Sequence, residues 1–246
     1  IVLLNETSYI LMSLYTKDHL LENKIVYFQP RQGYRSGIEP IILAAQANYN
    51  DKSILDLGSG CGPISLILAH RFPNAEIVGL ENYTVHLELS QKSKEENKFN
   101  NVEFKYEDVC LLNKKYVNYF DLVLSNPPFF FEDQIIKSKN DSINNAKYIS
   151  KEKCEIWFKN LINYTNDKGR ALIINRFENI DYMLGVFSLY NVMVEITPIL
   201  SFKDTKPKNV LISLKKNENY VEKTKNEIII HSNSSKYSKQ VEDWFK

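Results

Sequence analysis

Asn126-Pro127-Pro128-Phe129 sets an amide, two rigid residues and an aromatic ring directly after the apolar run Phe120–Leu124. Two prolines in a row end both a helix and an interior strand. An aromatic or amide NH2 group is a poor nucleophile because its lone pair is delocalised. Acceptors placed on its two hydrogens favour a pyramidal nitrogen and hold it in line with an electrophile, so positioning and electrostatics supply most of the rate. Asn126 offers a side-chain carbonyl, Pro127 a main-chain carbonyl with no competing N–H, Pro128 further rigidity, and Phe129 a flat face on which a base can stack. In isolation the same four residues also describe a proline-terminated strand with exposed phenylalanines.

The electrophile is indicated upstream. Asp56-Leu-Gly-Ser-Gly-Cys-Gly62 follows an apolar run and opens a helical pattern, with glycines at 58, 60 and 62. Glycine lets the chain turn tightly and lets a ligand approach the main chain. The dinucleotide fingerprint has a different spacing, G-x-G-x-x-G, and seats a pyrophosphate that a carboxylate at Asp56 would repel. Asp56 instead favours a ligand with an ammonium or sulfonium group. Glu81, followed by Asn82, ends the next apolar run and suits ribose hydroxyls. Glu107 and Asp108, followed by Val109, end the third and suit an adenine amino group. Acids at three consecutive strand ends describe S-adenosylmethionine better than a nicotinamide. Asn126 lies at the same edge and joins this cofactor set. No metal site is expected.

These residues need a scaffold that brings strand ends together. Strands are expected at 53–57, 76–80, 102–108, 120–126, 169–175, 192–200 and 209–216, with helices at 38–47, 63–72, 85–99 and 178–190. Strand–helix alternation with near-continuous apolar strands predicts an α/β, Rossmann-like, doubly wound, mostly parallel seven-stranded sheet, the last two strands forming an antiparallel pair at one edge. Residues 1–50 would cap the cofactor site, 51–216 form the main domain and 217–246 extend it. The polar stretch 131–153 is expected to be a long functional loop.

The 246 residues carry a net charge of only +1, so overall charge does not identify a nucleic-acid binder. The segment 201–246 holds ten Lys/Arg against six Asp/Glu and is the basic end. Three widely spaced cysteines fit a reducing, cytoplasmic setting. The apolar start is interrupted by Asn5, Glu6 and Thr7, so neither a secretory leader nor a spanning helix is expected. His70, His86 and His231 read as surface or packing residues. No residue pattern fixes an oligomeric state, and a monomer is expected.

The glycine loop, Glu81, Asp108 and the Asn-Pro-Pro-Phe tetrad together resemble class I S-adenosylmethionine-dependent methyltransferases that modify amino nitrogens. The leader containing Gln29-Pro30, Gly33-Tyr34-Arg35 and the helix with Leu43-Ala44-Ala45, together with the tail after Glu227, resembles more narrowly the bacterial tRNA1(Val) adenine N6-methyltransferases. That resemblance implies a tRNA substrate, methylation of the adenine just 3′ of a valine anticodon, and Gly33, Tyr34 and Arg35 along the cofactor's methionine end. Two positions depart from the family pattern: Glu39 stands where Asp is common, and Phe129 where Tyr is common. Phosphate contacts are expected from Lys137, Lys139 and Lys147 in the long loop and from Lys203, Lys206 and Lys208 in the basic end. Two alternatives remain: a protein (release factor) glutamine N5-methyltransferase, which presents a similar amide NH2 but usually carries a separate N-terminal helical domain, and a non-catalytic binder of S-adenosylmethionine or RNA.

Overall fold

The computed structural model describes residues 15–32, 35–131, 148–232 and 236–246. Lys137, Lys139, Lys147, Gly33 and Tyr34 lie outside them. The central sheet is built from β3 (Ser53–Leu57), β4 (Glu76–Glu81), β5 (Val102–Tyr106), β6 (Phe120–Ser125), β9 (Thr165–Arg176), β10 (Val192–Leu200) and β11 (Asn209–Lys216). These seven lie in the order β5-β4-β3-β6-β9-β11-β10. Only β11 runs against its neighbours. This is the expected α/β, doubly wound, mostly parallel arrangement.

Among the described residues the sheet has nine strands rather than the expected seven. β12 (Val221–Thr224) and β13 (Ile228–Ile229) both pair in parallel with β10. They are short and lack an obvious alternating pattern, but they cover the main-chain groups of what would otherwise be an open edge. The antiparallel pair therefore sits one strand inside the edge.

Alternation along the strands sends successive side chains to opposite faces. Ile54, Ile77 and Leu122 pack with helices α1 (Glu39–Ala44), α2 (Pro63–Arg71) and α3 (Thr84–Glu96) through Ile42, Leu66 and Leu89. Leu55, Val78 and Val123 pack on the other face with α4 (Lys151–Tyr164) and α5 (Ile180–Phe187) through Phe158, Leu161, Met183 and Phe187. The expected helix ends shift by a few residues. The larger correction is α4, which begins inside the segment expected to be loop. Ser150 caps it by accepting from Lys153 N, and Cys154, Phe158, Leu161 and Ile162 form its buried stripe at helical spacing.

Ahead of the sheet, β1 (Tyr15–Leu20) and β2 (Ile25–Pro30) form an antiparallel hairpin. Its second strand docks on α3: Val26 N donates to Asn97 Oδ1 at 2.8 Å, Asn97 Nδ2 donates back to Val26 O at 2.7 Å, and Phe28 N donates to Ser93 Oγ at 3.0 Å. This places Tyr27 over the carboxyl edge of the sheet, where the candidate residues meet. Two further strands, β7 (Phe130–Phe131) and β8 (Tyr148–Ile149), pair in parallel across the ends of the long insertion. A final helix, α6 (Lys239–Trp244), closes the chain. Among the described residues no helix is long and apolar enough to cross a membrane.

Candidate active site

β3 has β4 on one side and β6 on the other, so the chain order reverses there and the turns after the strands diverge. In open α/β sheets a crevice at this reversal is the ligand site. A cavity of about 330 Å3 occupies it, lined by the turns after β3, β4, β5 and β6. That lies at the small end of the roughly 300–1,000 Å3 range of ligand pockets.

The glycine turn is clipped to β4, with Gly58 N and Ser59 N donating to Leu80 O at 3.0 and 2.8 Å. Gly58 and Gly60 have φ of 78° and 56°, the left-handed region that disfavours other residues. They serve different ends. A Cβ on Gly58 would collide with the Trp157 ring, whereas one on Gly60 would meet nothing within 4 Å. Since Gly60 lines the cavity, that open space is room for a ligand against bare main chain.

Glu81 closes the turn. Its Oε2 accepts from Gly60 N at 2.8 Å and its Oε1 from Tyr83 N at 2.7 Å. Burial pushes its carboxyl pKa up, opposed by the Tyr83, Gly60 and Asn82 amides. Each oxygen keeps a further acceptor direction, as a ribose requires. Asn82, Asp108 and Val109 also line the cavity. Asp108 Oδ1 accepts from Cys110 N at 2.9 Å. Glu107, paired with Asp108 in the sequence reading, is not on the wall and instead bonds Asn113.

Two residues expected to contact the cofactor lie off the cavity wall. Asp56 is fully buried beneath the turn and off the cavity wall. Its Oδ2 accepts from Ser65 N at 3.2 Å and Ser65 Oγ at 2.7 Å, while Oδ1 has no hydrogen-bond partner among the described residues. Burial pushes its pKa up to about 7, so a strand-end acid facing the core organises the turn rather than presenting an open charge to a ligand. Arg35 is also off the wall: it donates to Asp18 Oδ2 and Thr16 Oγ1, both at 2.9 Å, and so fastens the hairpin.

At the end of β6, Asn126 and Pro128 line the cavity opposite the glycine turn. Asn126 Oδ1 is buried and has no hydrogen-bond partner among the described residues. Pro127, between these two wall residues in the chain, is buried, and Phe129 is half-buried. The turn is held from the segment just after β9, where Asn179 Nδ2 donates to Phe129 O and to Asn175 Oδ1, both at 2.8 Å. Glu39 lies nearby in the chain path and accepts from Asn209 Nδ2 at 3.1 Å. Lys203, Lys206 and Lys208 are exposed on the β10–β11 loop, away from the cavity wall.

Part of the wall is formed by residues not expected there from sequence: Tyr27, Ser36, Tyr83, His86, Lys153 and Trp157. Trp157 Nε1 donates to Ser125 Oγ at 2.9 Å, which donates to Leu57 O at 2.7 Å, tying the two central strand ends together. Its signal was the apolar stripe of α4. His86 packs edge-on to Tyr83, their rings 4.8 Å apart, and burial pushes its pKa down to about 4, so it is neutral at ordinary pH.

The site fits the expected cofactor. A bare glycine cradle, a shared carboxylate at Glu81, a second acid at Asp108 and an open amide oxygen at Asn126 can hold S-adenosylmethionine beside an incoming amino group. A family model described as the methyltransferase small domain matches residues 40–183. A tRNA1(Val) (adenine(37)-N6)-methyltransferase of Histophilus somni is 24% identical over 216 residues, covering 85% of this chain and 88% of the relative. A release factor glutamine methyltransferase of Buchnera aphidicola subsp. Schizaphis graminum is 30% identical over 182 residues, covering 71% of this chain and 62% of the relative. Among solved structures, a protein described as a predicted O-methyltransferase from Agrobacterium tumefaciens superimposes with a TM-score of 0.69 at 21% identity, covering 84% of this chain and 94% of that one. At that identity the likeness speaks for the fold.

Proposed function

The chain belongs to the methyltransferase small domain family, and from that premise we propose that this S-adenosylmethionine-dependent methyltransferase acts on the exocyclic N6 amino group of an adenine in tRNA, the anticodon-loop adenine just 3′ of a valine anticodon, in the cytoplasm. The observation that carries the amino acceptor is the buried, unpartnered Oδ1 of Asn126 on the cavity wall. A buried acceptor without a partner costs desolvation free energy, and on the cavity wall an incoming N–H group would recover it.

When bound, S-adenosylmethionine supplies a methyl group on a sulfonium sulfur. The chain's own contribution is to orient the acceptor. Asn126 Oδ1 accepts one hydrogen of the adenine amino group, and the Pro127 carbonyl accepts the other. Both contacts localise the nitrogen lone pair and strengthen as the nitrogen becomes positive, so they favour the transition state over the ground state. The Phe129 ring carries the face of the base, and extruding one base from a stacked loop lets it reach the site.

The RNA reading is supported by the near full-length similarity to the Histophilus somni relative. A glutamine amide presents a comparable NH2, and the Buchnera aphidicola relative favours that second reading, though over a smaller share of both chains. The test offers unmodified total tRNA, rRNA and release-factor protein in parallel with labelled cofactor. The expected product is N6-methyladenosine in tRNA, identified by nucleoside mass spectrometry. Label on a protein glutamine, with none in tRNA, replaces the first reading by the second.

A further inference from the structure

Four rings form a ladder at one end of the molecule: Phe202, His231, Tyr237 and Phe245. Successive centroids are 5.3, 5.4 and 5.0 Å apart, with interplanar angles of 33°, 11° and 24°. Phe245 packs against the core, and His231 and Tyr237 each have a ring on both sides. Phe202 ends the ladder. One face lies against His231, and 40% of the residue remains exposed.

The ladder is firmly mounted. Ile230 N and His231 N donate to Leu200 O and Ser201 O, both at 2.9 Å, so the tail continues the sheet alongside the β10–β11 loop. Thr205 Oγ1 donates to Phe202 O at 2.6 Å and fixes the turn from which Phe202 projects. That loop, residues 201–208, carries exposed Lys203, Lys206 and Lys208 against a single acid, Asp204. A lone exposed apolar side chain needs no explanation. An exposed ring that ends a stack, on a rigid turn among three lysines, has the chemistry of single-stranded nucleic-acid binding: a π-face for a base and cations for the phosphates.

Its place in the fold suits the same substrate. β10 is parallel to β9, and β9 to β6, so the loop after β10 rises from the same edge as Asn126. Between them lie β11 and β9, three strand spacings of about 4.8 Å, or roughly 14 Å across the sheet. We infer that the outer face of Phe202 is a stacking platform for an unpaired base of the RNA substrate, a few nucleotides from the base being methylated. This rests on the RNA reading above. Specificity for a folded loop would then come from a second base held outside the cavity, with the lysines adding affinity that is independent of sequence and sensitive to salt.

The test compares Phe202→Ala, Phe202→Leu and Phe202→Trp with the wild type on unmodified total tRNA, recording kcat and KM for RNA and, separately, cofactor affinity by calorimetry. Stacking on an aromatic ring changes affinity by roughly tenfold or more on removal. Ala and Leu should each raise KM for RNA about tenfold, with kcat and cofactor affinity within twofold of wild type, and Trp should restore KM. Leu keeps the apolar bulk but not the π-face, so rescue by Leu would mean packing and would overturn the inference. Wild-type KM in both Ala and Leu variants would also overturn it. If the wild type transfers no methyl group to tRNA, the RNA reading itself fails and this inference with it.

Discussion

On the β3–β5 side of the cavity, the two carboxylates on the wall are held by near neighbours: Glu81 by Gly60 and Tyr83, Asp108 by Cys110. On the β6–β9 side, Asn126 Oδ1 has no partner among the described residues, and the Phe129 carbonyl is held by Asn179, 50 positions further along the chain. The first side has its wall carboxylates fixed by main-chain amides. The second is a turn propped from behind, and on the proposed function its open acceptor meets a group that arrives only with the substrate. The two sides should therefore fail differently, the first in cofactor binding and the second in turnover.

The largest expected effect is on the open side. Asn126→Ala should lower single-turnover methyl transfer by roughly 10²-fold or more while leaving cofactor affinity within about twofold, because it removes a contact used chiefly in the transition state. Wild-type single-turnover rates in this variant would remove the tetrad from the mechanism. The matching break on the closed side is Gly60→Val. A β-branched residue is strongly disfavoured at φ of 56°, and its side chain would enter the cavity. Calorimetric titration with S-adenosylhomocysteine should show affinity reduced by roughly tenfold or more, and an unchanged affinity in a folded variant would mean that the turn is not the cradle.

The same asymmetry explains what was legible in the sequence. The seven main strands and the glycine turn follow from local patterns, so apolar runs and spacing located them. The acids at strand ends were legible as positions but not as depths: Asp56 pairs with Gly79 and stays beneath the turn, while Glu81, two residues further on the same face, reaches the wall. Arg35 looked free in sequence because its partners, Thr16 and Asp18, come from a hairpin with no strong periodicity. Asn179, Trp157 and Tyr27 reach the site only through tertiary packing, and no spacing rule connects them to the tetrad. The short strands β12 and β13 depend on the edge they cover.

Asn179→Ala sharpens the comparison by loosening the prop without touching the cavity. It leaves the part-buried Phe129 carbonyl without its Asn179 donor, a loss on the order of 1 kcal/mol that the turn relieves by shifting. Turnover should fall about five- to tenfold, with cofactor affinity unchanged. Asn179→Asp has nearly the same shape but turns the donor towards Phe129 into an acceptor. It should therefore be at least as impaired as the alanine variant. An active aspartate variant beside an inactive alanine variant would show that only bulk matters there.

The smallest effect tests whether Asp56 is the internal organiser that its burial indicates. Its carboxyl pKa is raised from 3.8 to about 7 by burial, with the nearby Glu81 charge adding to the shift. In the unfolded chain the group is ionised above pH 4; in the folded chain it keeps its proton to near pH 7. Between these values the native state binds the extra proton, so this group's contribution to stability falls as pH rises. From pH 6 to 7, a single unit below the folded pKa, the loss is about 1 kcal/mol, or some 2–4 °C in melting temperature for a chain of this size. Asp56→Asn cannot ionise and should show a flatter melting temperature over that interval. Other titrating groups are common to both proteins and cancel in the comparison. Because Asp56 is not on the cavity wall, the variant's cofactor affinity should stay within about threefold of wild type. Parallel melting profiles between pH 6 and 7, combined with a large loss of cofactor affinity, would instead mean that Asp56 is ionised and acts on the ligand as an open charge.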